Sequence, residues 1–261
     1  MIAIRDQNPT SSRAVVTLLL LAINVVVFLT EPIFAGGRNE QEEAIRQARY
    51  FTCNAAVPYE VTHGQRIGDA VQKGVEFETR LDNAYAALEA LSCPKKNVWM
   101  SILKSMFLHG SILHIGGNML FLWIFGNNVE DKLGKVRFTA FYLLAGLAAT
   151  YAQSYVFPNS ATPLIGASGA IAGILGAYLL MFPRARIVTL IFFFFITWTV
   201  VPAWLMIGVW FLMQLLSGVG SISGGTGVAY MAHVGGFLAG MLLLLVFRPR
   251  RDDSTPAALP Y

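Results

Sequence analysis

Apolar residues run through this chain in long blocks separated by short polar punctuation. A helix needs about 20 residues, with a range of about 17–25, to cross the hydrocarbon of a bilayer. Six blocks are candidate spans: Arg13–Phe34, Ile112–Gly126, Phe138–Phe157, Ile165–Phe182, Pro202–Ser217 and Tyr230–Phe247. Several are short, as expected where polar residues at one end also lie within the membrane.

Two regions break the rhythm. Gly36–Leu108 is mostly polar and reads as a small extramembrane subdomain. Within it, Val75, Leu81, Tyr85, Leu88 and Leu91 have helical spacing, which predicts an amphipathic helix over Val75–Leu91. Asn97–Leu108, with Trp99, Met100, Ile102, Leu103, Met106 and Phe107 around Lys104, predicts a segment lying on the membrane surface. The second region is Ile187–Ser217. Its first part is β-branched and rich in Phe, so helix is not the obvious reading. It is either two short spans or one span preceded by a re-entrant or interfacial piece, with Pro202 suited to the first position of a helix.

Charge decides the count. With six spans, Arg5, Arg13, Lys132, Lys135, Arg137, Arg184, Arg186, Arg248, Arg250 and Arg251 all fall inside. The short outer loops Pro158–Leu164 and Gly218–Ala229 then carry no Lys or Arg. Basic residues favour the inner side of short loops, while long loops are exempt; seven spans would put the basic tail outside. The expected organisation is an inner N-terminal tail (1–12), a membrane domain (13–247) with an outer insertion between its first two helices (36–108), and an inner C-terminal tail (248–261). The apolar run after Arg13 is long for a signal peptide, and Pro32 and Phe34 make a poor cleavage site, so it reads as an uncleaved first helix.

Composition agrees. Of 261 residues, 55% are apolar and 13% charged, against about 25% charged in soluble domains. The net charge of +4 forms no basic stripe outside short inter-helix segments, so nucleic acid is not expected as a partner. Cys53 and Cys93 both lie in the outer insertion. In an oxidising compartment they can bridge; the spacing leaves a disulfide and two free thiols both open.

Polar side chains in spans are costly and point to function. Ser168, in Gly166-Ala167-Ser168-Gly169-Ala170, opens the fourth span, and His233, in Ala232-His233-Val234-Gly235-Gly236, opens the sixth. With one span between them, both enter from the outer side at similar depth. A hydroxyl and an imidazole are the minimum for a serine nucleophile and its base. Gly166 and Gly169 flank the serine, and Gly236-x-x-x-Gly240 has the spacing that lets helix backbones approach closely. On the second span His114 and Asn118 share a helix face. With the Ser168 amide they could supply the donors an oxyanion needs; alternatively they only hydrogen-bond between helices. His109 reads as structural or as sitting at the water boundary. No acidic residue lies inside a span to serve as ligand or base, and no His-Glu-x-x-His occurs, so metal catalysis is not expected. Embedded aspartates and lysines for other mechanisms are missing as well.

His109-x4-His114-x3-Asn118, Gly166-Ala167-Ser168-Gly169 and Ala232-His233-Val234-Gly235-Gly236, in that order, resemble the rhomboid family of intramembrane serine proteases over about Leu108 to Phe247. Glu130 also matches a family position. The resemblance implies an all-α membrane protein: a six-transmembrane-helix bundle around a water-filled cavity, here with a long extracytoplasmic loop between helices 1 and 2. It also implies a Ser168–His233 dyad, an oxyanion site from His114, Asn118 and the Ser168 amide, and no cofactor. The substrates implied are transmembrane proteins, cut near the outer membrane face. The chain departs from some members in having Ala172 where they place a Tyr against the histidine, so His233 is expected to be oriented by Tyr230 or an aromatic on another helix. A Trp-Arg pair that some members carry in the first loop is missing. The alternative is a catalytically inactive relative that binds or escorts membrane helices. The basic inner loops, and the lack of a long targeting presequence, lead to the expectation of a multi-pass protein in a bacterial plasma membrane with both termini cytoplasmic.

Overall fold

A computed structural model describes residues 2–33, 40–77, 93, 95–192, 196–221 and 228–249. The chain begins with strand β1 (Ile2–Asp6) and helix α1 (Val15–Thr30). Helices α2 (Glu40–Asn54), α3 (Pro58–His63), α4 (Ile67–Gln72) and α5 (Val98–Ser105) follow. Helix α6 (Ile112–Phe121) runs through a π-helical turn (Leu122–Gly126) into α7 (Asn127–Leu133). After Gly134 comes α8 (Lys135–Val156), then α9 (Ser168–Met181), strands β2 (Arg186–Phe192) and β3 (Ile196–Pro202), α10 (Ala203–Ser221) and α11 (Tyr230–Phe247). Most of the expected amphipathic helix Val75–Leu91 lies outside the described residues, as do Phe193–Phe195 and most of the tail 248–261.

The expected spans correspond to helices, the sixth with the expected bounds and the others with shifted ends. The second block does not stop at Gly126 but continues to Leu133. The fourth starts at Ser168 instead of Ile165, because Gly166 takes a φ of 118° that no helix allows. By length and apolar composition, α10 and α11 alone among the described helices are sufficient to cross a membrane; α1 and α9 are shorter apolar helices. Apolar side chains stand exposed along one side of α1 (Leu18, Leu19, Val26, Leu29) and of α11 (Leu242, Leu245, Val246). Such a surface is stable against lipid and would be a liability in water.

A three-stranded antiparallel sheet, in the order β1-β2-β3, corrects the all-helical expectation. The stretch before α10 is not the first of two helical spans: its described residues, Arg186–Phe192 and Ile196–Pro202, are antiparallel strands whose β-branched residues pair, Val188 with Val200 and Thr189 with Thr199. Ile2–Asp6 completes the sheet against β2, so this part of the expected tail is ordered structure.

The main core fills the space between α6–α7, α8 and α9. Phe125, Phe138, Phe141, Tyr142, Ile174, Leu175 and Tyr178 are fully buried there. Glu130 reaches from α7 to the start of α1 and accepts hydrogen bonds from the Val16 and Thr17 amides (2.9 and 2.7 Å) and the Thr17 hydroxyl (2.8 Å). A carboxylate at a helix N-terminus satisfies orphan donors and complements the helix dipole. At the opposite end of the bundle lies the insertion. Cys53 and Cys93 are joined in a disulfide. Lys96 and Glu60 form a buried ion pair at 2.7 Å, and Lys96 also donates to Thr52 O. The insertion meets the α8–α9 loop through Leu164 N to Ala56 O (2.8 Å) and Tyr59 N to Ser160 O (3.0 Å).

Candidate active site

Ser168 is the first residue of α9. The opening N–H groups of a helix have no partner within it, and no side chain caps this end. The first intrahelical bond at this end runs from Ile171 N to Ala167 O. The Ser168 hydroxyl therefore stands beside a cluster of orphan amide donors at the positive end of a helix dipole.

The structure brings Ser168 and His233 together: Ser168 Oγ lies 2.7 Å from His233 Nε2. Small residues make this approach possible. Helices α9 and α11 cross with backbone against backbone, and a Cβ added to Gly236 would collide with Gly169 O, one added to Gly240 with Gly173 O. The start of α11 is fixed further by the Ala232 amide, which donates to Gln153 Oε1 of α8 (3.1 Å).

His114 borders the same space. A Cβ on Gly166 would lie 2.7 Å from His114 Nε2 and 3.5 Å from Ser168 Oγ. Gly166 thus serves twice: it permits the positive φ before α9, and it leaves room for the His114 ring. Asn118 sits one turn further along α6, 8% exposed, with its Nδ2 unpartnered among the described residues. A buried amide donor without an acceptor is costly unless something arrives to fill it. His109 is fully buried, its ring edge-on to His114 at 5.1 Å, and its amide donates to Glu31 Oε1 (3.0 Å). Burial, with the neighbouring His114 ring, pulls the His109 imidazole down to about 4, so it is neutral at ordinary pH. Beside Ser168 is a cavity of about 30 Å³, bordered among others by Ser105, Thr150, Ile165 and Gly166. Among the described residues no cluster of three or more His, Cys, Asp or Glu is arranged to hold a metal.

The orientation of His233 differs from expectation. Tyr230 and Trp210 do approach its ring, with centroids at 6.3 and 6.1 Å. The close contact is polar instead: Gln214 Oε1 of α10 lies 2.7 Å from His233 Nδ1. Sequence reasoning passed over Gln214. The signal was an amide side chain alone in the apolar run Trp210-Phe211-Leu212-Met213-Gln214-Leu215-Leu216, by the same logic that singled out Ser168.

The model of the Rhomboid domain matches residues 96–250. The chain belongs to the rhomboid family. It is accordingly an integral membrane protein, mostly helical. Rhomboid protein 1, mitochondrial, of Saccharomyces cerevisiae is 33% identical over 153 residues, 55% of this chain and 40% of that protein. The human presenilin-associated rhomboid-like protein, mitochondrial, is 34% identical over 142 residues, 54% of this chain and 36% of its own length. Rhomboid protease GluP of Bacillus subtilis is 46% identical over 81 residues, 31% of this chain and 15% of its length. The match thus spans less than half of each of these rhomboid relatives. Because they include mitochondrial and bacterial proteins, they favour no particular membrane, and the expectation of a bacterial plasma membrane gains nothing from them.

Proposed function

We propose that this rhomboid is an intramembrane serine endopeptidase that cleaves transmembrane segments of other proteins. The observation that carries the reading is the 2.7 Å contact between Ser168 Oγ and His233 Nε2. In this reading His233 takes the hydroxyl proton as Ser168 Oγ attacks the peptide carbonyl carbon. The carbonyl oxygen becomes an oxyanion held by the Ser168 amide, His114 and Asn118 Nδ2. Loss of one such donor costs about 10²–10³ in rate in a soluble serine protease. The protonated His233 then gives its proton to the leaving amine. Water, deprotonated by His233, hydrolyses the acyl-enzyme and frees Ser168. No metal or cofactor enters.

The proposed membrane topology has six spans: α1, the continuous α6–α7, and α8 to α11, with residues 1–12 and 248–261 inside and the insertion 36–108 outside. Contacts between distant segments support it. Strand β1 pairs with β2, which requires the stretch before α1 and the stretch after α9 to share a side. Arg137 Nη1, at the start of α8, donates to Phe247 O and Arg248 O at the end of α11 (both 3.3 Å). The insertion touches the α8–α9 loop at the other end.

The test is cleavage of a single-span reporter co-reconstituted with the full chain in liposomes, followed by the size of the released fragment. Ser168→Ala and His233→Ala should each abolish cleavage while the protein still inserts. Undiminished cleavage by Ser168→Ala would overturn the reading. Failure of the wild-type chain to react with a fluorophosphonate would favour a helix-binding protein without catalysis.

A further inference from the structure

We infer that Gln214 is a positioning residue for the base: its amide oxygen accepts the Nδ1 hydrogen of His233 and so holds the imidazole in the one neutral tautomer that can take the Ser168 proton. The inference rests on the dyad reading above and extends it to a relay of Gln214, His233 and Ser168.

A neutral imidazole has one N–H and one bare nitrogen. For Nε2 to accept from Ser168, the hydrogen must sit on Nδ1. An N–H in a buried site needs an acceptor. Gln214 Oε1, at 2.7 Å, can only accept. The two contacts of the ring, 2.7 Å on each nitrogen, therefore agree on a single tautomer. The other close neighbours of the ring do not substitute for the amide. Trp210 is tilted by 37° at 6.1 Å and Tyr230 stands edge-on at 6.3 Å, so both are packing walls. The Ala172 position provides no ring at all.

The choice of an amide over a carboxylate follows from the surroundings. An ionised carboxylate in an apolar helix bundle carries a heavy desolvation penalty. An amide dipole supplies the geometric restraint without placing a permanent charge there. Helix α10 is held at the height this requires by ring packing against α11, with Phe211 stacked on Phe237 at 4.3 Å. Trp210 and Gln214 lie four residues apart, one turn along the same face of α10. That face thus brings both the wall and the acceptor to His233.

The experiment compares the full-length wild-type chain, Gln214→Met and Gln214→Glu in detergent. The probe is a fluorophosphonate, whose phosphorus is attacked by Ser168 Oγ with loss of fluoride. Gln214→Met keeps the length and loses the acceptor; Gln214→Glu keeps an acceptor. The expected result is a fall of roughly 10- to 100-fold in the limiting labelling rate for Gln214→Met, the range of one buried donor left unsatisfied, with probe affinity unchanged. Gln214→Glu should recover most of that loss. Nitrogen-15 NMR of labelled histidine, assigned with His233→Ala, reads the tautomer directly in the wild-type chain and does not depend on any variant folding. A hydrogen on Nδ1 is expected. A hydrogen on Nε2 at neutral pH, or a wild-type labelling rate in folded Gln214→Met, would overturn the role of Gln214. Labelling that persists in Ser168→Ala or His233→Ala would instead strike the dyad itself.

Discussion

Gly166 N donates to Ser105 O at 2.9 Å, so the turn that delivers Ser168 hangs from helix α5 of the insertion. Ser105 is tied in turn to the rest of that subdomain. Its hydroxyl accepts from the Ala56 amide (2.6 Å) and donates to Ser101 O (2.8 Å). The insertion therefore helps to set where the nucleophile stands.

Ser105→Ala should lower both stability and labelling. It strands the buried Ala56 amide, a cost of about 1–3 kcal/mol. Thermal unfolding in detergent and fluorophosphonate labelling report the two effects. Wild-type behaviour in both would show that the insertion does not brace the serine.

Gly236→Ala tests the helix crossing. The added methyl meets Gly169 O of α9 with no room to spare. Overpacking of this kind costs about 1–3 kcal/mol, and relief by separating α9 from α11 lengthens the Ser168–His233 contact. Labelling should fall further than stability alone explains, whereas Gly116→Ala, with open space at its Cβ position, should be tolerated.

The disulfide closes a loop with a sequence separation of 40 between Cys53 and Cys93. Restricting the unfolded chain in this way is worth about 2–4 kcal/mol. Replacing both cysteines with serine should lower the unfolding midpoint, and a reductant should do the same to the wild-type chain alone. Labelling at low temperature should survive, since neither cysteine touches Ser168.

Acid should loosen the protein through His109. Its folded-state value of about 4 lies below the ordinary 6.5, so the unfolded chain takes up a proton that the folded chain refuses. Stability from this group is complete above about pH 6.5 and is lost as pH falls from there to about 4. Unfolding midpoints across that window should flatten in His109→Gln, compared with the wild-type slope. An equal slope in both would assign the acid sensitivity elsewhere.

What could be read from the chain beforehand follows from the range of each signal. Long apolar blocks mark helices directly, because the signal is local and a bilayer demands length. Ser168, His114, Asn118 and His233 were conspicuous as polar groups in such blocks. Strands β2 and β3 were less legible: an apolar run rich in Phe and β-branched residues fits a buried strand or a buried helix, and periodicity cannot separate them. Strand β1 was out of reach, since its partner Leu190 lies far along the chain from Ile2. Helix ends slipped for a similar reason. Gly166 ends the pre-helical turn through a positive backbone angle, and the His114 ring fills the space a side chain there would need; neither is visible in composition. Gln214, a lone amide within an apolar block, carries the same signal as Ser168.

The pairing of β1 with β2 has a consequence for assembly. Ribosomes deliver β1 first, yet its partner strand exists only after α9 has been made. Contacts so distant in sequence close late. The sheet therefore cannot form on a chain halted before the helix that bears Ser168, and its closure records that the nucleophile's helix has been synthesised and brought home.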